Sequence, residues 1–167
     1  KFLKKYEITT FAAFVIGFPG ETEETIEDNI KFLEKCEVDF YSTKEFYYMP
    51  HTKVHTDREQ YGLTGMGNDW SHDTMNSKTA AKMKNHMFKT VKNSIFIDPD
   101  TSLWYLAYLY DQGFSVENIK ECQKILNSMM LDEINSKFDN KDGYLKKLKH
   151  AVPPIFEPDL KATAAGM

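Results

Sequence analysis

The chain has 167 residues, 41% of them hydrophobic and 28% charged, with a formal net charge of −4. This is the make-up of one globular domain, or of part of a larger one, with enough chain to bury a real core. The acidic balance removes the electrostatic case for nucleic acid, and no apolar run approaches the ~20 residues that cross a bilayer, so neither is an expected partner.

Residues 1–7 (KFLKKYE) read as the end of a helix leading into a strand. Residues 8–17 (ITTFAAFVIG) form a nearly continuous apolar run, which predicts a strand covered on both faces, as in a parallel sheet. The turn Pro19-Gly20 is followed by a predicted helix over 22–35, with Thr22 as N-cap and Glu23, Glu24 and Glu27 near the positive end of the helix dipole. Ile26, Ile30 and Leu33 recur at i, i+4, i+7 and give that helix one apolar face. Strand-like composition returns from Val38 to Met49. The succession is a βαβ unit, for which a parallel sheet and a right-handed crossover are expected.

Pro50 to Asn76 reads as a long loop, and loops of that length concentrate function. Everything beyond reads as helical. Ser77 caps a helix carrying Ala80, Met83, Met87, Phe88, Val91 and Ile95. Pro99 and Asp100 start another, with Leu103, Trp104, Leu106, Ala107, Leu109 and Tyr110, stopped by Gly113. Ser115 opens a third, bearing Ile119, Cys122, Leu126, Met129 and Met130 and reaching Phe138. A short basic helix spans Tyr144 to His150, its Lys146, Lys147, Lys149 and His150 making a solvated face. Division follows composition: β/α units over 1–63, a loop over 64–76, a helical subdomain over 77–152 and a tail over 153–167.

Cys36 and Cys122 are the two cysteines, too far apart for a CxxC pair and both at helical positions, so buried structural thiols are expected. With no disulfide framework and no leader visible, a reducing cytoplasm is the expected setting. The opening Lys1 suggests a piece of a longer protein. Dinucleotide, P-loop, nucleophile-elbow and HExxH signatures are absent. His51 and His55 stand i, i+4 apart but in a loop without a carboxylate in register. His72 and Asp73 cluster with Trp70 in the long loop, where His72 is a candidate catalytic group with Asp73 as an acid/base partner, or part of a helix-capping segment. Tyr47, Tyr48 and Met49 close a predicted parallel strand, the end at which α/β folds place ligands, and Tyr47 is a second catalytic candidate. Lys44 and Glu45 must face solvent, each other or a polar ligand.

The stretch FVIGFPGET, residues 14–22, followed by an acid-rich helix, closely resembles the strand-turn-helix of radical S-adenosylmethionine enzymes, and YMPHTKVHTDREQYGL, residues 48–63, resembles their next barrel strand. His51 departs from the Pro-Gly-Thr found there in the family. WSHDTM and WYLAYLYDQGFS look like the C-terminal regions of the cobalamin-binding members. The resemblance implies the last strands and helices of a partial TIM-like (β/α) barrel followed by an all-helical C-terminal region. It implies a reaction begun by reductive cleavage of S-adenosylmethionine and ending in methyl transfer or cyclisation on a small-molecule or peptide substrate. Val15, Gly17, Phe18, Tyr48 and Met49 would line the adenine side, with Gly17 admitting close backbone approach. Glu21 is assigned to stabilising the following helix rather than to the ligand. The [4Fe–4S] cluster of the family needs three clustered thiolates. Two isolated cysteines cannot supply them, so the cluster would be held by an N-terminal part of the same protein, and cobalamin, where used, would also be bound outside this chain. A non-catalytic α/β and helical interaction module, with Met83, Met87, Met129 and Met130 as an adaptable surface, is the alternative; an unrelated α/β enzyme using His72 and Asp73 is a third.

Overall fold

A computed structural model describes residues 2–98, 102–137 and 140–153, and the side chains of Ser102 and Leu103 are outside that description. The chain forms two compact units, Lys1–Ser102 and Leu103–Met167. In the first, a 3-10 turn at Leu3–Tyr6 leads into β1 (Phe11–Ile16), α1 (Glu23–Cys36) and β2 (Phe40–Glu45). Next come α2 (Lys53–Thr56), a 3-10 turn at Arg58–Tyr61, and the short strands β3 (Thr64–Met66), β4 (Asp69–His72) and β5 (Met75–Asn76). α3 (Ser77–Thr90) and β6 (Ile95–Phe96) complete the unit.

The predicted βαβ unit is present. β1 and β2 pair in parallel from Phe11↔Phe40 to Ile16↔Glu45, and β6 adds in parallel to β2, giving the order β1-β2-β6. α1 forms because Thr22 caps it, accepting from the Thr25 amide at 3.2 Å while Thr25 Oγ1 accepts from the Thr22 amide at 3.0 Å. Its Ile26, Ile30 and Leu33 are all buried, each contributing about 1.5–3 kcal/mol of apolar transfer. At the opposite end of the strands Asp39 Oδ2 accepts from the Thr10 amide at 2.9 Å and from Thr10 Oγ1 at 2.8 Å, fixing the register.

Both crossover helices cover one face of the sheet. Tyr41 donates from its hydroxyl to the Met87 carbonyl of α3 at 3.5 Å, and Glu45 pairs with Lys84 of α3 at 2.9 Å. α1 lies against α3, joined by His86 to Glu27 at 2.7 Å and by the Lys92 and Asn93 amides to Glu34 Oε1. Desolvation holds the Tyr41 phenol protonated, well above its ordinary range. The register puts Ala12, Phe14 and Ile16 on the helix-covered face and Phe11, Ala13 and Val15 on the other. β1 is therefore not covered on both faces, since Ala13 and Val15 are exposed. Among the described residues it is also an edge strand: the Thr10 and Ile16 carbonyls accept from β2 amides, so by alternation the backbone groups of Phe11, Ala13 and Val15 face the side away from β2.

The expected loop over 50–76 is largely structured. β3, β4 and β5 form an antiparallel sheet of their own, turning at Gly67-Asn68 with Gly67 at φ +63°, the first central position of a hairpin, where glycine is favoured. Strands of two to four residues are too short to show alternation, so composition concealed them. Asn76 rather than Ser77 caps α3, accepting from the Thr79 amide at 3.0 Å. Ile95, expected on α3, belongs to β6 instead, because pairing with Phe40 in β2 outweighs one more helical turn. α3 and β6 thus belong to the sheet unit and not to a helical subdomain. Met83 and Met87 are buried in its core.

In the second unit, α4 (Ser102–Asp111), α5 (Val116–Ile134) and α6 (Lys141–Ala151) follow in order. Gly113 at φ +87° ends α4, and Ser115 caps α5. α5 stops at Ile134, short of the expected Phe138, which with Pro99 and Asp100 lies outside the described residues. α5 and α6 run antiparallel, tied by Tyr144 to Asp132 at 2.5 Å near one end and Asn118 to the Ala151 carbonyl at 3.5 Å near the other. Lys146, Lys147, Lys149 and His150 are exposed, as predicted. Cys36 and Cys122 are free and half-buried, and burial with the nearby Glu121 raises the Cys122 thiol above its ordinary range. No helix among the described residues is long and apolar enough to cross a membrane.

Candidate functional site

β1 ends at Gly17, whose φ is +87°. A Cβ there would overlap the Trp70 indole and the Ala80 methyl. Both its backbone groups are engaged: the amide donates to Glu21 Oε2 at 2.5 Å, and the carbonyl meets His72 Nε2 at 3.1 Å. Glycine is demanded here by conformation and by the indole packed on it, and the side expected to admit adenine is occupied by Trp70. Glu21 does not cap α1, which Thr22 does; it spans the turn from Gly17 towards Asn29 of α1, 3.5 Å away. Burial raises its carboxyl above the ordinary range, and the Gly17 amide partly offsets that by favouring the charged form.

His72 is 7% exposed, and its Nδ1 accepts from the Thr74 and Met75 amides at 3.3 and 3.2 Å. Two amide donors on Nδ1 require the tautomer with its proton on Nε2, which then donates to the Gly17 carbonyl. The ring stacks on Trp70 at 5.1 Å with an interplanar angle of 1°, and Trp70 Nε1 donates to the Phe46 carbonyl at 2.7 Å. His72 and Trp70 together brace the mini-sheet to the ends of β1 and β2. With both ring nitrogens held by backbone, His72 has no nitrogen to offer a substrate in this arrangement. Asp73 lies against Gly62, and its amide donates to the Tyr61 carbonyl.

Beyond β2, Tyr48 is buried and exchanges both backbone hydrogen bonds with Gly67 at 2.9 Å. Its hydroxyl meets His55 Nδ1 at 2.9 Å, a pairing that no sequence spacing announces. Val15, Phe18, Tyr47 and Met49 are instead 46–53% exposed. Of the predicted site residues, these four stand outward at the C-terminal ends of adjacent parallel strands, while Gly17, Tyr48 and His72 form the frame beneath. Phe18 meets Phe46 edge-on at 5.5 Å, which ties the two strand ends together. Trp70, the main neighbour of Gly17, is marked in the sequence only by its clustering with His72 and Asp73. Lys44 and Glu45 do not pair with each other; Glu45 turns to Lys84. An open polar cleft of about 430 Å³, bordered by Thr64, Asp69, Ser71 and Lys78, is lined by none of the four rim residues.

A cluster does not fit this chain's own residues: among those described, no group of three His, Cys, Asp or Glu side chains converges to hold a metal ion. The exposed rim offers apolar surface beside the outward-facing backbone of Val15.

Compared with known proteins, the chain is similar to an uncharacterized methyltransferase of Pyrococcus horikoshii, 42% identical over 40 residues. That match takes in 24% of this chain and 9% of the relative. No family model matches the chain, and no solved structure does.

Proposed function

We propose that this chain forms one wall of an S-adenosylmethionine site in a methyltransferase of the radical type, with the cluster held by an N-terminal part of the same protein and cobalamin, where used, bound outside this chain. The observation that carries the reading is the row Val15, Phe18, Tyr47 and Met49, half-exposed apolar side chains at the C-terminal ends of adjacent parallel strands, where (β/α) folds hold their ligands. Parallel strands β1, β2 and β6 in sequential order, with both crossover helices on one face, support a stretch of (β/α) barrel. Similarity to a methyltransferase supports methyl transfer over cyclisation. When bound, S-adenosylmethionine would supply the transferable group. Val15 and Phe18 would shield its adenine from water, Val15 would offer backbone hydrogen bonds along the free edge, and Tyr47 and Met49 would face the substrate.

The test uses the complete gene product, purified anaerobically and reconstituted with iron and sulfide. Val15→Asp places a charge on an exposed position that the fold tolerates. It should weaken S-adenosylmethionine binding, read by equilibrium dialysis, by about tenfold or more, the equivalent of 1.4 kcal/mol. Undiminished affinity removes the rim from the site. A complete product that takes up no iron and does not cleave S-adenosylmethionine would leave the interaction module, which the exposed Trp104, Tyr105, Tyr108 and Tyr110 of α4 favour.

A further inference from the structure

His51 and His55 belong to no part of the rim described above. The chain turns sharply after Pro50, putting His51 at φ +61°, a left-handed conformation that non-glycine residues adopt only when their surroundings hold them there. Thr52 then caps α2, accepting from the His55 amide at 3.2 Å and donating to the Met49 carbonyl at 2.9 Å. The result brings the two imidazoles to a centroid separation of 6.4 Å, with planes 47° apart. His51 is exposed and His55 half-buried.

The His55 ring is oriented from behind. Tyr48, rigid through its paired backbone bonds to Gly67, sets its hydroxyl 2.9 Å from Nδ1. Acceptance of an Nδ1 proton by that hydroxyl leaves the Nε2 lone pair free for an electrophile, the arrangement by which metal-binding histidines are aligned. A nitrogen–metal bond of about 2.0–2.1 Å puts an imidazole centroid roughly 3.2 Å from the ion. Two rings on one ion therefore span about 5 Å at a tetrahedral angle and about 6.4 Å when opposed. The observed separation matches the opposed limit, so an ion held at a tetrahedral angle requires the exposed His51 ring to move roughly 1 Å or more towards His55. Neighbouring cations are matched: Lys53 pairs with Asp57 at 2.8 Å, and Arg58 with Glu59 at 3.9 Å.

We propose that His51 and His55 form an open two-histidine site for a divalent transition metal, oriented by Tyr48 and completed by water. Imidazole donors select zinc, nickel or copper over magnesium and calcium. The site stands independently of the S-adenosylmethionine reading, because its test needs no turnover.

Zinc chloride and nickel chloride are titrated by calorimetry into the tag-free full chain, with His ring resonances followed in parallel. Saturable binding of a single equivalent is expected, with both rings perturbed. His51→Gly suits the left-handed backbone and so preserves the fold, and His55→Gln keeps a polar partner for Tyr48; each should lower affinity by about tenfold or more. Tyr48→Phe should lower it by about tenfold while both imidazoles remain, as loss of an orienting partner does. Absence of saturable binding overturns the proposal. So does binding that survives both histidine variants, or that falls instead with His86→Gln, which would place the ion at the His86–Glu27 pair.

Discussion

Gly17→Ala separates two reasons for a glycine at the end of β1. If the residue serves only close approach of a ligand, alanine leaves the free chain as stable as before. The structure gives a different result. At φ +87°, a left-handed backbone with a Cβ costs about 1–2 kcal/mol. That Cβ would also be driven into the Trp70 ring and the Ala80 methyl, and overpacking of this kind costs about 1–3 kcal/mol. Alanine's smaller unfolded-state entropy returns about 0.5–1 kcal/mol, leaving a net loss of about 1–4.5 kcal/mol. Urea unfolding of the free chain, followed by circular dichroism, measures it. The double variant Gly17→Ala with Trp70→Phe exchanges indole for a smaller ring and should show a favourable coupling of at least about 1 kcal/mol. A loss below about 1 kcal/mol, or no coupling, refutes the packing argument.

Glu21 supplies a pH test. Its carboxyl titrates above its ordinary value of 4.5, so the folded chain holds that proton more tightly than the unfolded chain. Its contribution to stability is then present below the ordinary value and lost as pH rises through the raised one. Glu21→Gln should flatten stability against pH across that window, whereas Glu21→Ala leaves the Gly17 amide without a partner and should cost about 1–3 kcal/mol at pH 7; an unchanged pH profile for the glutamine variant would count against the assignment. His72→Ala removes the bond to the Gly17 carbonyl, the acceptor for two amides and the stack on Trp70, and should destabilise by about 2–4 kcal/mol in the same unfolding assay. Ala13→Lys, on the exposed face of the edge strand, should reduce self-association of the free chain in light scattering, because a charged edge resists strand addition; equal association would mean that the edge is not the sticky surface.

Local signals were legible where one physical cue dominated. Thr22 capping α1, the burial of Ile26, Ile30 and Leu33, Gly113 ending α4 and Ser115 capping α5 rest on short-range chemistry that residues declare by type. Composition could not reveal the β3–β5 sheet, whose strands carry two to four residues each. The dipeptide Gly67-Asn68 is a hairpin signal, but flanks this brief carry no alternation to support it. Ile95 fits both the helical period and a strand; its pairing with Phe40, some 55 residues away, decides between them. The same limit applied at the site. Side chains at the ends of parallel strands could be named from the pattern, but not that Trp70 would fill the open side of Gly17, or that His55 would reach Tyr48.

The rim and its frame place opposite demands on their residues. Val15, Phe18, Tyr47 and Met49 leave apolar surface half-exposed, which costs free energy in water and is recovered only when something covers it. Such residues recognise a ligand well when their backbones are held still. Here Trp70 and His72 hydrogen-bond to the carbonyls of Phe46 and Gly17, the residues directly before the rim residues Tyr47 and Phe18. On the reading proposed above, His72 would act through position: it anchors the strand end from which Phe18 projects, and a variant lacking it should loosen S-adenosylmethionine binding and fold stability together.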